Sequence, residues 1–277
     1  MDKKILTIQD ISCVGQCSLT VALPLISACG IETCILPSSV LSNHTAKGFS
    51  GWTFCDLTQE MPKIKNQWKI ENITFDAFYT GYVSKNQIPY IISIMEETAR
   101  EGALKIVDPA MADNGKLYAG FDKDFPKDMA LLCAKADYIL PNITEAALLT
   151  GLEYKETGYD RDYIETLCKA LLSLGCKNVI LTGVSFDSSK VGAAVYDGKE
   201  FYYYFTDRIA VSMHGTGDVY ASVFTGSLMR GKSVREAASI ACDFVVESIK
   251  ATYDDYKDHW YGVKFEKAIP YLVDRLR

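Results

Sequence analysis

The sequence lacks the features that would direct a protein into a membrane or onto nucleic acid. No apolar run approaches the ~18 residues of a membrane span, and the start, Met-Asp-Lys-Lys, leads into a short strand pattern rather than the apolar core of a signal sequence. Lysine and arginine form no basic run, and the net charge is −6. This charge argues against nucleic acid or an anionic membrane as the main partner.

Cysteine patterns typical of metal sites or disulfide frameworks are missing as well. The nine cysteines are an odd number, and no CxxC pair or His/Cys zinc spacing occurs. Cys13 and Cys17 are the closest pair, and without further partners they make a poor zinc signal. Most of the others lie in apolar segments, so we expect buried, reduced thiols and a cytoplasmic location.

What the chain does contain is an ordinary globular composition. It has 277 residues, of which 48% are hydrophobic and 23% charged. There is no interdomain linker, internal repeat or low-complexity segment, so we expect one domain over residues 1–277.

Short apolar runs alternate with helical patterns along the chain. The runs predict strands at 4–9, 31–36, 75–79, 104–107, 137–140 and 178–182. The helical patterns cover 17–30 (with Pro24 as a kink), 84–100, 144–150, 163–174, 217–229, 233–251 and 263–276. Asp197-Gly198, between VGAAVY and EFYYYF, predicts an antiparallel hairpin with a two-residue turn. Together they predict an α/β/α fold with a mostly parallel central sheet and this hairpin added to it.

Polar residues follow several of the predicted strands. They are Gln9-Asp10, Thr80-Gly81-Tyr82, Asp108, Asn142 and Thr182-Gly183. Ligands in parallel α/β folds collect at the carboxyl ends of strands, so these residues predict one site. Asp108 and Glu145 suit Mg²⁺, Asn142 would orient a phosphate or a metal-bound water, and Thr182-Gly183 would line a nucleotide groove. Alternatively, Asn142 and Thr144 only cap a helix, and Asp108 only forms a turn.

The most informative motif is Gly215-Thr216-Gly217-Asp218, which opens a helix of small residues. Glycines allow close approach of the backbone, and a helix start offers unpaired N–H groups, so the motif suits a phosphate. Asp218 beside this anion hole is placed to accept a proton from a hydroxyl that is being phosphorylated. The alternative is a glycine-rich helix start with a first-turn charge.

A second phosphate pattern is predicted to be false. Residues 226–233 fit GxxxxGK[ST] literally. A P-loop requires a strand before the pattern, whereas here the preceding residues belong to the helix that Asp218 starts. Gly231 would end that helix, and Ser233 with Glu236 would cap the next one.

In these motifs the sequence resembles the ribokinase-like superfamily and, within it, the pyridoxal/pyridoxamine kinase family. The matching segments are residues 41–45 (LSNHT), 80–82 (TGY), 107–113 (VDPAMAD), 141–145 (PNITE) and 215–218 (GTGD). Their order and spacing agree with the family over nearly the whole chain. GTGD is typical of the superfamily, whereas SNHT with TGY is more specific to the vitamin B6 branch.

The resemblance implies ATP-dependent phosphorylation of the 5′-hydroxymethyl group of pyridoxal, pyridoxine or pyridoxamine. It implies Asp218 as the base and the backbone N–H groups of Gly215, Thr216 and Gly217 as stabilisers of the transferred charge. Asp108, Asp113 and Glu145 would organise Mg²⁺ and phosphates, and Tyr118 matches a lid tyrosine. His44, Thr45 and Tyr82 would hold the ring. A homodimer and an assisting monovalent cation such as K⁺ are also implied.

The chain departs from the family at Asp10, where the family usually has serine. A carboxylate there would bind a protonated pyridine nitrogen or a cationic aminomethyl group, or it would only cap the chain after the strand. The nearest competing function is a hydroxymethylpyrimidine kinase of the same superfamily. The fold would also accommodate a non-catalytic nucleotide-binding protein, a lyase or, less favoured, a sugar kinase.

Overall fold

The structure is a computed structural model that describes residues 3–45 and 48–277. The first two residues, on which the expectation of no signal sequence partly rests, lie outside the described residues. The strands are β1 (Lys4–Ser12), β2 (Glu32–Leu41), β3 (Phe54–Asp56), β4 (Phe75–Thr80), β5 (Ala99–Val107), β6 (Ala112–Asp113), β7 (Lys116–Leu117), β8 (Tyr138–Ile139), β9 (Asn178–Val184), β10 (Lys190–Tyr196) and β11 (Phe201–Asp207). The helices are α1 (Leu19–Ala28), α2 (Met61–Ile70), α3 (Ile88–Glu97), α4 (Phe125–Cys133), α5 (Ile143–Thr150), α6 (Arg161–Leu172), α7 (Thr216–Met229), α8 (Val234–Thr252) and α9 (Ile269–Leu276).

Nine strands form one sheet in the order β11-β10-β9-β8-β5-β4-β1-β2-β3. The six central strands, from β9 to β2, pair in parallel, whereas β10, β11 and β3 pair antiparallel at the two edges. Strand β1 is buried almost along its whole length, as expected for a parallel strand that is covered on both faces. The predicted α/β fold class is confirmed.

The helices cover the two faces of the sheet in separate groups. Helices α2 to α6 pack on one face around a core that includes Phe78, Ile91 and Met129. Helices α1, α7, α8 and α9 pack on the other face around a core that includes Phe224 and Phe244. The second face matters for function because α7 carries the glycine-rich motif at its start.

Several predicted boundaries were wrong. The helix predicted over 84–100 is a 3₁₀ turn followed by α3, and the chain then enters β5 at Ala99, where it pairs with Phe75 of β4. This pairing extends the strand five residues before the predicted start, since a sheet neighbour overrides local helical preference. Helices α2 and α4 and strands β3, β6 and β7 were not predicted.

The antiparallel hairpin is confirmed, but its turn has four residues rather than two. Tyr196 pairs directly with Phe201, which leaves 197–200 in the turn. The Asp197 carboxylate accepts hydrogen bonds from the backbone N–H groups of Lys199 and Glu200, both at 2.8 Å. The Asp197 side chain therefore stabilises this turn by bonding to the backbone. The Asp-Gly pair in the sequence does not by itself specify these bonds.

The P-loop pattern is false, as predicted. Its first residues lie inside α7, and Gly231 follows that helix with a φ of 88°. The Ser233 hydroxyl and the Glu236 carboxylate then form a capping box at the start of α8. Lys232 thus lies at a junction between two helices rather than in a phosphate-binding loop.

Candidate active site

The glycine-rich motif forms the first turn of α7, and its geometry requires the first glycine. Gly215 is the residue before the helix, has a φ of 78°, and packs so closely on the Gln16 carbonyl that a Cβ would collide with it. The N–H groups of Thr216, Gly217 and Asp218 are in the first helical turn and have no partner within the helix. These groups are placed as an anion hole requires, and their role in binding phosphate stays a prediction.

Asp218 lies at the third position of this helix, beside the start of α1. The backbone N–H of Ser18 faces its carboxylate and lowers its pKa, but burial and the negative charge of Asp108 outweigh this effect, with a smaller contribution from Asp10. The net result is a pKa raised to about 8. Ser18 has a φ of 52°, which is unusual for a residue with a side chain and frequent at functional sites.

Asp10 is not a cap after the strand, because β1 continues to Ser12. Its pairing with β2 shifts register between Gln9 and Ile11, so Asp10 lies at a β-bulge. The side chain is only 5% exposed and accepts a 3.0 Å hydrogen bond from the Ser12 hydroxyl. Burial raises the pKa of this carboxyl, and the hydrogen bonds from Ser18 and Ser12 oppose the rise.

The predicted ring-binding residues differ in burial. Tyr82 is half-buried, lies tilted beside Phe121 with ring centroids 5.1 Å apart, and has a pKa raised by burial and then by the charge of Asp10. His44 is buried, with its Nε2 3.0 Å from the Tyr261 carbonyl oxygen. Thr45, in contrast, is exposed.

Sequence reasoning missed an aromatic wall around His44. The rings of Phe49, His214 and Trp260 lie with centroids 5.0, 5.4 and 6.2 Å from that of His44. These residues come from three distant segments, and no spacing in the sequence relates them. A cavity of ≈ 550 Å³ lies beside this wall, lined in part by Met213, His214, Tyr256 and Trp260.

Asp108 and Glu145 form a buried pair of carboxyl groups. Asp108 accepts a 3.1 Å hydrogen bond from the Ala110 N–H. It therefore also forms a turn, which is the alternative role that the sequence indicated. Glu145 accepts bonds from the N–H groups of Met111 at 2.9 Å, Ala112 at 3.4 Å and Asn142 at 2.9 Å. Burial raises the pKa of both groups, and the charge of Glu145 adds to the rise at Asp108.

Asn142 caps α5 and forms a capping box with Glu145. Its amide also donates a 2.8 Å hydrogen bond to the Ala112 carbonyl oxygen, so it ties α5 to the short β6 strand. Thr144 does not cap the helix: its hydroxyl accepts a 3.0 Å bond from the Gly115 N–H. Asn142 and Glu145 therefore cap the helix, whereas their role in phosphate or metal binding stays a prediction.

The remaining predicted residues lie around this pair. Asp113 is exposed and accepts hydrogen bonds from Asn114. Tyr118 is 40% exposed, and its pKa is raised by desolvation of the hydroxyl and by the charges of four carboxylates, first Glu145 and Asp113. Thr182 donates a 3.3 Å bond to the Pro141 carbonyl oxygen, and Gly183 follows with a φ of 73°.

Three further observations concern metal sites, membrane spans and cysteines. Within residues 3–45 and 48–277, no three His, Cys, Asp or Glu side chains converge on a single point suited to a metal ion. No helix in this described part is long and apolar enough to cross a membrane. All nine cysteines are free thiols.

The fold and the site together define a class of protein. A base candidate at a glycine-rich helix start, at the carboxyl edge of a parallel sheet and within electrostatic reach of Asp108, is the arrangement of a small-molecule kinase of the ribokinase-like superfamily. The family model for phosphomethylpyrimidine kinase matches residues 37–261, and the chain belongs to this family.

Individual proteins with similar sequences and structures agree. A provisionally assigned phosphomethylpyrimidine kinase from Bacteroides thetaiotaomicron, determined with pyridoxal, is 36% identical with a TM-score of 0.92 over 98% of this chain and 96% of that one. Pyridoxal kinase from Lactobacillus plantarum is 31% identical with a TM-score of 0.89 over 98% and 97%. Pyridoxal kinase from Dictyostelium discoideum is 27% identical over 100% of this chain and 94% of its own.

Proposed function

We propose that the protein is an ATP-dependent kinase that phosphorylates the 5′-hydroxymethyl group of a vitamin B6 vitamer and so serves salvage of pyridoxal 5′-phosphate. The observation that carries this proposal is the position of Asp218. Its carboxylate lies at the N-terminal end of α7, within electrostatic reach of both Asp108 and Asp10. It therefore lies between Asp108, on the side proposed to bind phosphate, and Asp10, on the side proposed to bind the vitamer ring.

In the proposed reaction Asp218 accepts the proton of the substrate hydroxyl as its oxygen attacks the γ-phosphorus of ATP. The O–P bond to the vitamer forms while the bond to the departing ADP breaks. The free N–H groups of Thr216 and Gly217 stabilise the negative charge of the transferring phosphoryl group. Asp10, His44 and Tyr82 hold the ring so that its hydroxymethyl group faces Asp218, and Thr45 contributes from the exposed rim.

The carboxylates fit a role in holding Mg²⁺ with the nucleotide. Asp108 and Glu145 are buried close enough that the charge of Glu145 raises the pKa of Asp108, so a cation between them would relieve repulsion. Both Glu145 oxygens already accept backbone bonds, which favours contact through a metal-bound water. Bound Mg²⁺ would neutralise phosphate charge during transfer. In this proposal Asp113 and Tyr118 lie at the rim of the nucleotide site. Its groove is lined by Asn142, Thr182 and Gly183.

Four further features complete the proposal. The chain would act as one domain in the cytoplasm, in keeping with its free thiols, and a monovalent cation such as K⁺ would assist. It would form a homodimer through the edge of the sheet beside β3. The edge exposes Ile35, Trp52 and Phe54, of which Phe54 is 53% exposed, and such an apolar strand edge is suited to an interface.

The test is a kinase panel with purified protein, ATP and Mg²⁺ over pyridoxal, pyridoxine, pyridoxamine, hydroxymethylpyrimidine and ribose. We expect a phosphorylated product with the B6 vitamers at a kcat/KM at least about tenfold above that of the others, a margin of ~1.4 kcal/mol. Preference for hydroxymethylpyrimidine would replace the proposed substrate class. Nucleotide binding without any phosphorylated product would favour a non-catalytic role.

A further inference from the structure

A layer of fully buried polar side chains lies beneath the start of α7. Thr7 and Gln9 of β1, Tyr79 of β4 and Ser222 of α7 are all 0% exposed. Thr7 and Tyr79 are register partners in parallel strands, so their side chains share a face of the sheet. Gln9 is two residues after Thr7 on that face, and its Nε2 donates a 2.8 Å bond to the Thr7 hydroxyl.

Three atoms of this layer lack a hydrogen-bond partner of good geometry in the described part of the chain. They are Gln9 Oε1, the Tyr79 hydroxyl and Ser222 Oγ. They are nevertheless neighbours, because the side chains of Ser222 and Gln9 both lower the pKa of Tyr79 through side-chain hydrogen bonding. Buried polar atoms are costly without partners, so these three groups depend on one another.

This layer reaches the candidate base. Ser222 follows Asp218 by four residues in α7, so both side chains lie on the same side of that helix. The pKa of Tyr79 is raised well above its ordinary value by burial and then by the charges of Asp108 and Asp218, which puts its hydroxyl within electrostatic reach of both. Gly81 leaves room for Gln9, because a Cβ there would collide with the Gln9 amide.

We propose that Tyr79 and Ser222 are positioning residues for Asp218, and that together with Gln9 they hold the first turn of α7 against β1 and β4. None of them needs to touch the substrate. Their effect is to keep the Asp218 carboxylate at the distance and angle that proton transfer from a hydroxyl requires. The inference rests on the proposed function, since it assigns Asp218 the role of base.

The chain offers a matched control for each residue. Tyr220 also has a buried hydroxyl without a partner among the residues that the structure describes, but the charges that act on it are Cys242 and Tyr202 rather than a carboxylate of the site. Within the same described residues, the buried hydroxyl of Ser227, further along α7, likewise has no partner. We expect Tyr79→Phe and Ser222→Ala to lower kcat about tenfold with each KM within about twofold, because a small misplacement of a catalytic group costs up to ~100-fold. Tyr220→Phe and Ser227→Ala should keep kcat within about twofold of wild type.

The same kcat in Tyr79→Phe and wild type, or an equal loss in Tyr220→Phe, would overturn the inference. Thermal unfolding of all four variants shows whether each is folded. If Tyr79→Phe is not folded, the kcat of Ser222→Ala provides the test.

Crystal structures of wild type and of Tyr79→Phe test the positioning role without an activity assay. They therefore distinguish this inference from the proposed function. We expect the Asp218 carboxylate in the variant to be displaced by about 0.5 Å or more from its position in wild type. An undisplaced carboxylate would refute the positioning role even if the protein is the proposed kinase. A protein that phosphorylates no B6 vitamer but shows the displacement would refute only the proposed function.

Discussion

Replacing Asp218 with asparagine tests the centre of the proposed mechanism. The asparagine side chain keeps the size and polarity of aspartate but does not accept a proton. General-base contributions are typically ~10² to 10⁴-fold, so we expect kcat for the preferred vitamer to fall by at least about a hundredfold. Because the backbone N–H groups of the first turn of α7 remain, ATP binding should be preserved.

The same substitution should stabilise the unliganded protein at high pH. The pKa of Asp218 is raised from 3.8 to about 8. A raised carboxyl pKa means that the folded state loses stability as pH rises from about 4 to about 8, because the unfolded chain ionises first. At 1.36 kcal/mol per unit the full shift would be worth about 6 kcal/mol. Asp218 is only half-buried, so solvent screens part of this energy and we expect a gain of ~1–3 kcal/mol for Asp218→Asn near pH 9.

The assay combines steady-state kinetics, nucleotide binding and denaturant unfolding near pH 5 and pH 9. Asp162→Asn is the control, since Asp162 is also in the first turn of a helix, α6, but is exposed. The stabilisation should shrink toward pH 5 in Asp218→Asn and be absent in the control. If Asp218→Asn retains more than about a tenth of wild-type kcat, Asp218 is not the base. If its stability gain is the same at both pH values, burial does not raise its pKa.

Three further variants test the remaining assignments. Lys232→Ala should change kcat by no more than about twofold, because Lys232 lies between α7 and α8. Loss of activity in a folded variant would instead support the P-loop interpretation of residues 226–233. Glu145→Gln should raise the Mg²⁺ concentration for half-maximal rate, and an unchanged Mg²⁺ titration would leave Glu145 as the capping partner of Asn142. Asp10→Ser should lower kcat/KM for pyridoxamine more than for pyridoxal, by roughly ten- to a hundredfold for a charge-assisted hydrogen bond; equal losses would show that Asp10 does not discriminate between them.

The sequence alone determined the features that depend on local periodicity and on short motifs. Alternating strand and helix patterns specify a parallel sheet covered on both faces, because a buried parallel strand and an amphipathic helix have different periods. The start of α7 was predictable because glycines followed by an acidic residue form a recognisable helix beginning, and Gly231 with Ser233 excluded the P-loop for the same local reason.

The tertiary structure alone decided which side chains meet and how their charges interact. The β-bulge at Asp10 depends on pairing with β2, and the early start of β5 depends on pairing with β4. The aromatic wall around His44 and the polar layer beneath Asp218 join residues from distant parts of the chain, and no short-range pattern encodes such contacts. The raised pKa of Asp218 arises from desolvation by packed neighbours and from Asp108, which only folding brings within electrostatic reach.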